Sequence, residues 1–185
     1  MAANDAIGIA RGFHDETAHS RVSVRTSGHT LDWEIKPFPF KIYPDLAGLA
    51  LPRDFDPVTL DTLLALGERW GSSSSAERLT LRAVAALLYF AAGVTKKKTY
   101  PGGGEVLFRA APSTGALFQT EVYLVAGDVD GLEIGLYHFC PGDFALRRLR
   151  AADVRGALAE AAADPRLARR AATIVLSAIY WRNTW

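Results

Sequence analysis

Val122-Tyr123-Leu124-Val125-Ala126, Leu132-Glu133-Ile134-Gly135-Leu136-Tyr137-His138-Phe139, and Ala145-Leu146-Arg147-Arg148-Leu149 are the runs that decide the fold class. The first is continuously apolar and ends at Gly127-Asp128, which reads as a strand buried on both faces. In the second, Leu132, Ile134, Leu136 and His138 fall on one side, and Glu133, Gly135, Tyr137 and Phe139 on the other. Pro141-Gly142-Asp143 then turns the chain into the third run. A last β-branched, apolar run covers Thr173–Tyr180. Four strands therefore crowd the second half of the sequence.

Working outward, the period changes to that of helices. Val84, Leu87, Leu88 and Ala91 form an i, i+3, i+4, i+7 stripe that predicts a helix over Leu81–Ala92, with Gly93 at its end. Asp56-Pro57 before Leu60, Leu63 and Leu64 predicts another, stopped at Gly67. A further helix is expected from Asp153 to about Ala163, and a short one after Asp164-Pro165. Helices and hairpins mix without a regular β-α-β alternation, so the class is α+β with a mostly antiparallel sheet flanked by helices.

Residues 1–55 read as an extended arm. A short helix is expected near Ile7–His19. Pro37, Pro39, Pro44 and Pro52 then alternate with Trp33, Phe38, Phe40 and Tyr43. Proline at that density blocks helices and central strands, while the aromatics need a surface to bury against. The globular unit is placed at 56–185. Ser72–Ser75 reads as a flexible loop, and Lys96-Lys97-Lys98 beside Tyr100-Pro101-Gly102-Gly103-Gly104 as a solvated one.

Composition narrows the function classes. The 185 residues carry a formal net charge of +1, which gives no footprint for nucleic acid or an anionic membrane. Cys140 is the only cysteine, so an internal disulfide is ruled out and a thiolate metal site disfavoured. His14 and His19, five apart, share no helix face. His138 and Cys140 share a strand face, an arrangement more often structural than catalytic. No apolar run approaches the ~20 residues that span a bilayer, and the start lacks a secretory layout, so a cytoplasmic location is expected.

One segment carries chemistry: Phe108-Arg109-Ala110-Ala111-Pro112-Ser113-Thr114-Gly115-Ala116-Leu117-Phe118-Gln119-Thr120-Glu121-Val122-Tyr123. Small residues precede a buried strand and are bracketed by Arg109 and Glu121. Small side chains let backbone N–H groups approach a flat ligand, and Leu117 and Phe118 add apolar surface. A plain loop-to-strand junction would need the same glycine. Ser113 lacks a Gly-x-Ser-x-Gly elbow, which argues against a hydrolase.

This segment resembles the flavin-contacting signature of the SagB/ThcOx dehydrogenase group, nitroreductase relatives that oxidise azolines to azoles in peptides. Four further motifs, in the same order, carry the resemblance over residues 11–185. They are Phe13-His14-Asp15-Glu16-Thr17-Ala18-His19-Ser20, Pro37-Phe38-Pro39-Phe40-Lys41-Ile42-Tyr43-Pro44, Leu87-Leu88-Tyr89-Phe90-Ala91-Ala92-Gly93 and Gly135-Leu136-Tyr137-His138-Phe139. The resemblance implies a nitroreductase-like fold and FMN as cofactor, with the flavin N5 accepting or donating hydride. It implies that Arg109, Pro112, Ser113, Thr114, Gly115 and Glu121 surround the isoalloxazine, with Gln119 replacing the family's usual proline. Arg69, Ser72 and Ser73 are the candidates for the FMN phosphate.

Arg182-Asn183-Thr184-Trp185 resembles the approach to the family's Trp-Lys-Tyr motif, whose Lys-Tyr pair is absent. With two tryptophans in the last five residues, this leads to the expectation of a domain incomplete at its C-terminus. The implied partners are a peptide or small-molecule substrate and either a homodimer mate or a second nitroreductase-like half. The competing reading is a non-catalytic half that binds a peptide or subunit.

Overall fold

The computed structural model describes residues 6–26, 28, 30, 32–57, 59, 61–67 and 78–184. Arg69, Ser72, Ser73 and the rest of the serine run, together with His29, Leu60 and Trp185, lie outside them. The chain divides into two compact units, Met1–Lys36 and Pro37–Trp185, so residues 37–55 group with the second unit.

In the first unit, helix α1 spans Ala6–Thr17 and α2 spans Arg21–Thr26. Ser20 starts α2 reciprocally: its N–H donates to Ser23 Oγ at 2.8 Å, and Ser23 N–H donates to Ser20 Oγ at 2.9 Å. This is a serine version of the capping box.

The second unit is built on an antiparallel sheet. Its strands are β1 (Gly48–Ala50), β4 (Thr120–Ala126), β5 (Gly135–Cys140), β6 (Ala145–Arg150) and β7 (Ala172–Ala178), in the order β1-β6-β5-β4-β7. Register fixes which residues share a face. Val122 lies between Phe139 and Leu176, and Leu124 between Tyr137 and Ile174. Tyr123 lies between His138 and Val175, facing the other way. The Val122 face packs on helix α4 (Leu81–Ala92), whose Val84, Ala85 and Leu88 are buried with Leu124, Phe139, Phe144 and Leu146. Burying a side chain such as Leu88 contributes about 1.5–3 kcal/mol. Thr80 caps α4, accepting from Ala83 N–H at 3.2 Å.

Helix α4 has the bounds its periodicity predicts, but Gly93 ends it for another reason than a left-handed cap. Its φ is −67°, and a Cβ there would stand 2.7 Å from Tyr89 O and 2.8 Å from Tyr89 Cα. Glycine is required for space.

Other expectations shift. Lys96–Lys98 is not a loop: it lies in β2 (Val94–Thr99), paired with β3 (Glu105–Arg109) in a separate hairpin. Gly102 and Gly103, at φ +100° and +90°, make the turn. The lysines are exposed; Lys97 pairs with Glu105 at 2.5 Å, and Lys98 lies over the Tyr100 ring. The run from Leu132 becomes strand only at Gly135, because residues 129–132 form a bridged turn tied to the start of α4. Leu81 N–H donates to Asp130 O, and Asp130 N–H to Leu79 O, both at 2.8 Å.

The helix expected after Asp56 is α3, Thr62–Gly67. Asp61 starts it, accepting from Leu63 and Leu64 N–H, while Asp56 pairs with Arg82 at 3.1 Å. The helix expected from Asp153 is α5, Arg155–Ala161, and a 310 turn follows at Pro165–Arg169, capped by Asp164. The last strand stops at Ala178, and Tyr180–Thr184 turns into the short helix α6. No described helix is long and apolar enough to cross a membrane.

Candidate functional site

The loop between β3 and β4 borders a cleft of about 400 Å3. Its floor is Val122 of β4 with Ile174 and Leu176 of β7; Leu88, Ala91 and Ala92 of α4 form one wall. Ala111, Pro112, Ser113, Phe118, Gln119 and Thr120 form the other wall, and among the described residues Arg109 is the one charged residue on the lining. The volume and the apolar lining with a few polar groups are those of a small-molecule site. Leu176 is 63% exposed, so this floor is open to a ligand.

The loop adopts unusual backbone. Gly115 has φ +62°, Ala116 +54° and Phe118 +48°. Left-handed backbone costs a non-glycine residue roughly 1–2 kcal/mol, so the surroundings must hold it. Ser113 does part of this: its Oγ accepts from Phe118 N–H at 2.8 Å and lies 3.3 Å from Gln119 Oε1. Arg182, on α6, does more. Its guanidinium donates to Phe118 O at 2.9 Å and bonds Glu121 as an ion pair.

Arg109 ends β3. Its Nη2 donates to Pro39 O at 2.6 Å, and the guanidinium lies 4.4 Å from the Phe118 ring centroid and 5.0 Å from that of Phe40. Burial pushes it down to about 10, with the Glu121 charge working against the shift, so it remains a cation at neutral pH. Its Nε is buried without a hydrogen-bond partner among the described residues. An uncompensated donor on an apolar cleft favours a ligand with an acceptor or developing negative charge.

The predicted ring-contacting residues separate into groups. Arg109, Pro112 and Ser113 line the cleft together. Thr114 and Gly115 follow in a short 310 turn, Thr114–Ala116, with Gly115 exposed and not on the lining. Glu121 lies on the opposite sheet face, 3% exposed, 2.8 Å from His138 Nε2 and paired with Arg182. Burial alone would raise the Glu121 carboxyl, but hydrogen bonds from His138 and Arg182 hold it below its ordinary range. An ionised Glu121 can only accept, so His138 carries its proton on Nε2.

Reading the sequence missed Arg182 and the Glu121–His138 pair, although alternation from Tyr123 and His138 places both acid and imidazole in strands of one hairpin. It also missed Ile174 and Leu176. Their alternation along the last strand is visible, but their place beside the loop depends on sheet order. No group of three or more His, Cys, Asp or Glu is arranged to hold a metal among the described residues.

No family model matches the chain. The curated protein "Putative nitroreductase MJ1384" of Methanocaldococcus jannaschii is 29% identical over 141 residues, covering 76% of this chain and 66% of that protein. The crystal structure of a putative nitroreductase from Anabaena variabilis superposes with a TM-score of 0.68 at 28% identity, covering 96% of this chain and 33% of that one. An Escherichia coli Microcin synthetase McbBCD complex with truncated pro-MccB17 bound gives 0.45 at 17% identity, covering 95% of this chain and 67% of that one, too loose a likeness to bear on fold or function. The chain thus spans just under two thirds of the curated relative and a third of the Anabaena protein. An antiparallel sheet flanked by helices, in the arrangement of the Anabaena protein, is a nitroreductase-like α+β fold.

Proposed function

We propose that this chain provides the isoalloxazine-facing wall of an FMN-dependent, nitroreductase-like oxidoreductase. The observation that carries the reading is the open apolar cleft whose one lining cation among the described residues, Arg109, keeps a buried Nε without a hydrogen-bond partner among them. The likeness to two proteins named as nitroreductases supports it. Bound FMN supplies a centre that exchanges a hydride at N5, with azolines in peptides as the substrate class the sequence resemblance suggests.

The residues fit such a group. Arg109 stabilises negative charge on the ring, Pro112 and Phe118 with the β7 floor exclude water, and Ser113 shapes the loop. Thr114 and Gly115 are the proposed source of further backbone N–H groups, from the 310 turn that follows Ser113. Glu121 acts at one remove, by fixing Arg182 against the Phe118 carbonyl. Arg69, Ser72 and Ser73, outside the described residues, are the proposed phosphate contacts. The proposed assembly is a homodimer or a pairing with a second nitroreductase-like half, for which the 81% exposure of Tyr180 and 50% exposure of Trp181 speak.

Titration with FMN, followed by flavin fluorescence, tests the assignment. Leu176→Asp should abolish binding by placing a charge on the floor, and Lys97→Ala should leave it unchanged. Equal affinity in wild type and Leu176→Asp would remove the cleft from consideration.

A further inference from the structure

The sheet face opposite the cleft carries a second cluster, independent of the flavin reading. Lys41 reaches down from the proline-rich segment, and its Nζ donates to Tyr123 OH at 2.7 Å. The ammonium lies 5.3 Å from the Tyr43 ring centroid and 5.4 Å from that of Tyr123. Both rings rest edge-on against buried His138, at 5.1 and 5.2 Å. Ser177 of β7 lies beside Tyr123 and is exposed, whereas Lys41, Tyr43 and Tyr123 are half-buried.

Two mismatches stand out in this cluster. The first is charge. Hydrogen bonds to Tyr123 and Tyr43 raise Lys41 and keep it an ammonium, yet the groups acting on it include no carboxylate among the described residues. Glu121, on the same face, is already engaged by His138 and Arg182. The second is hydrogen bonding. The ammonium brings three donors and no acceptor, and among the described residues the Tyr123 and Tyr43 hydroxyls take its hydrogen bonds, which leaves one N–H for a ligand. Burial alone would raise the Tyr123 phenol, but hydrogen bonds from Lys41, Tyr43 and Ser177 carry it below the usual tyrosine range.

We propose that Lys41, Tyr43, Tyr123 and Ser177 form a binding site for a carboxylate, on the sheet face opposite the flavin cleft. A single positive charge with no carboxylate beside it among the described residues matches a monoanion, and a carboxylate supplies an acceptor for the remaining ammonium N–H. A dianionic phosphate would exceed the charge available. The carboxylate belongs either to a small free acid or to a peptide, as a chain terminus or acidic side chain.

Amide chemical shifts of Tyr123 and Ser177 report the test, with sodium acetate and inorganic phosphate titrated at constant ionic strength. Acetate should bind saturably and more tightly than phosphate. Lys41→Met should weaken acetate at least tenfold, and Ser177→Ala, on an exposed strand position, at least threefold. Lys97→Ala should bind as wild type does. A short peptide with a free C-terminal carboxylate, compared with its amidated form, identifies the source: tighter binding than acetate assigns the site to peptide carboxylates, equal binding to small acids. Absence of saturable acetate shifts, tighter phosphate binding, or wild-type affinity in both Lys41→Met and Ser177→Ala would overturn the proposal.

Discussion

Replacing Glu121 by glutamine probes the link between the core and the cleft loop. The substitution keeps the size of a side chain that is 3% exposed but removes the charge facing Arg182, itself 3% exposed. Arg182 would keep its 2.9 Å bond to Phe118 O and lose its counter-ion. Removing one member of a buried pair costs about 3–5 kcal/mol, because the remaining charge stays desolvated. Glutamine can still accept one hydrogen bond, which puts the expectation near the lower end, about 3 kcal/mol. At roughly 2–4 °C per kcal/mol for a chain of this size, the midpoint should fall by about 6–12 °C. Thermal melts measure that shift, and urea denaturation of wild type, Glu121→Gln, Arg182→Met and the double variant measures the free energies. The double variant should lose less than the sum of the singles, with a coupling above about 1 kcal/mol. A Glu121→Gln effect below about 0.5 kcal/mol, or strict additivity, would show that the pair does not hold the loop.

Three further outcomes follow from the same geometry. The folded Glu121 carboxyl is depressed below its ordinary value of 4.5, so its contribution is present above that pH and lost as pH falls through the lower folded value. The stability gap between wild type and Glu121→Gln should thus be constant from about pH 7 to 5 and close in more acid solution; a gap unchanged at about pH 3 would contradict the assignment. Gly93→Ala should destabilise by about 1–3 kcal/mol, since its Cβ would meet Tyr89 backbone atoms, whereas Gly104→Ala, with nothing within 4 Å, should be near neutral in thermal melts. Gly115→Val should cost about 1–2 kcal/mol from its φ of +62° and weaken FMN binding; a valine variant with wild-type melting and affinity would show that the left-handed turn is dispensable.

Much of the fold was legible because one-dimensional periodicity records burial. The helix Leu81–Ala92 and the apolar strand at Val122 bury faces that recur at fixed spacing, and neither needs knowledge of partners. The lysine hairpin was not legible: its residues are exposed, so no apolar alternation marks the strand, and only pairing with Glu105–Arg109 makes it one. Leu132 was placed in a strand because an apolar residue in a buried turn has the same signature as one in a sheet. At the site, Arg109, Pro112 and Ser113 could be read from one continuous loop. Arg182 lies 61 residues from Glu121 along the chain, and a buried arginine of that kind is found only when the sheet order and the final helix are known.

The central claim is that a flavin ring rests against the cleft between the 109–120 loop, α4 and β7. Mapping FMN-induced amide shifts onto the chain tests it most directly, since even weak binding is localised. The largest shifts are expected at Arg109–Thr120, Ala91–Ala92 and Ile174–Leu176, with the amides of Lys41 and Tyr43 little changed. Shifts concentrated at Lys41, Tyr43 and His138, or none anywhere at saturating FMN, would contradict it.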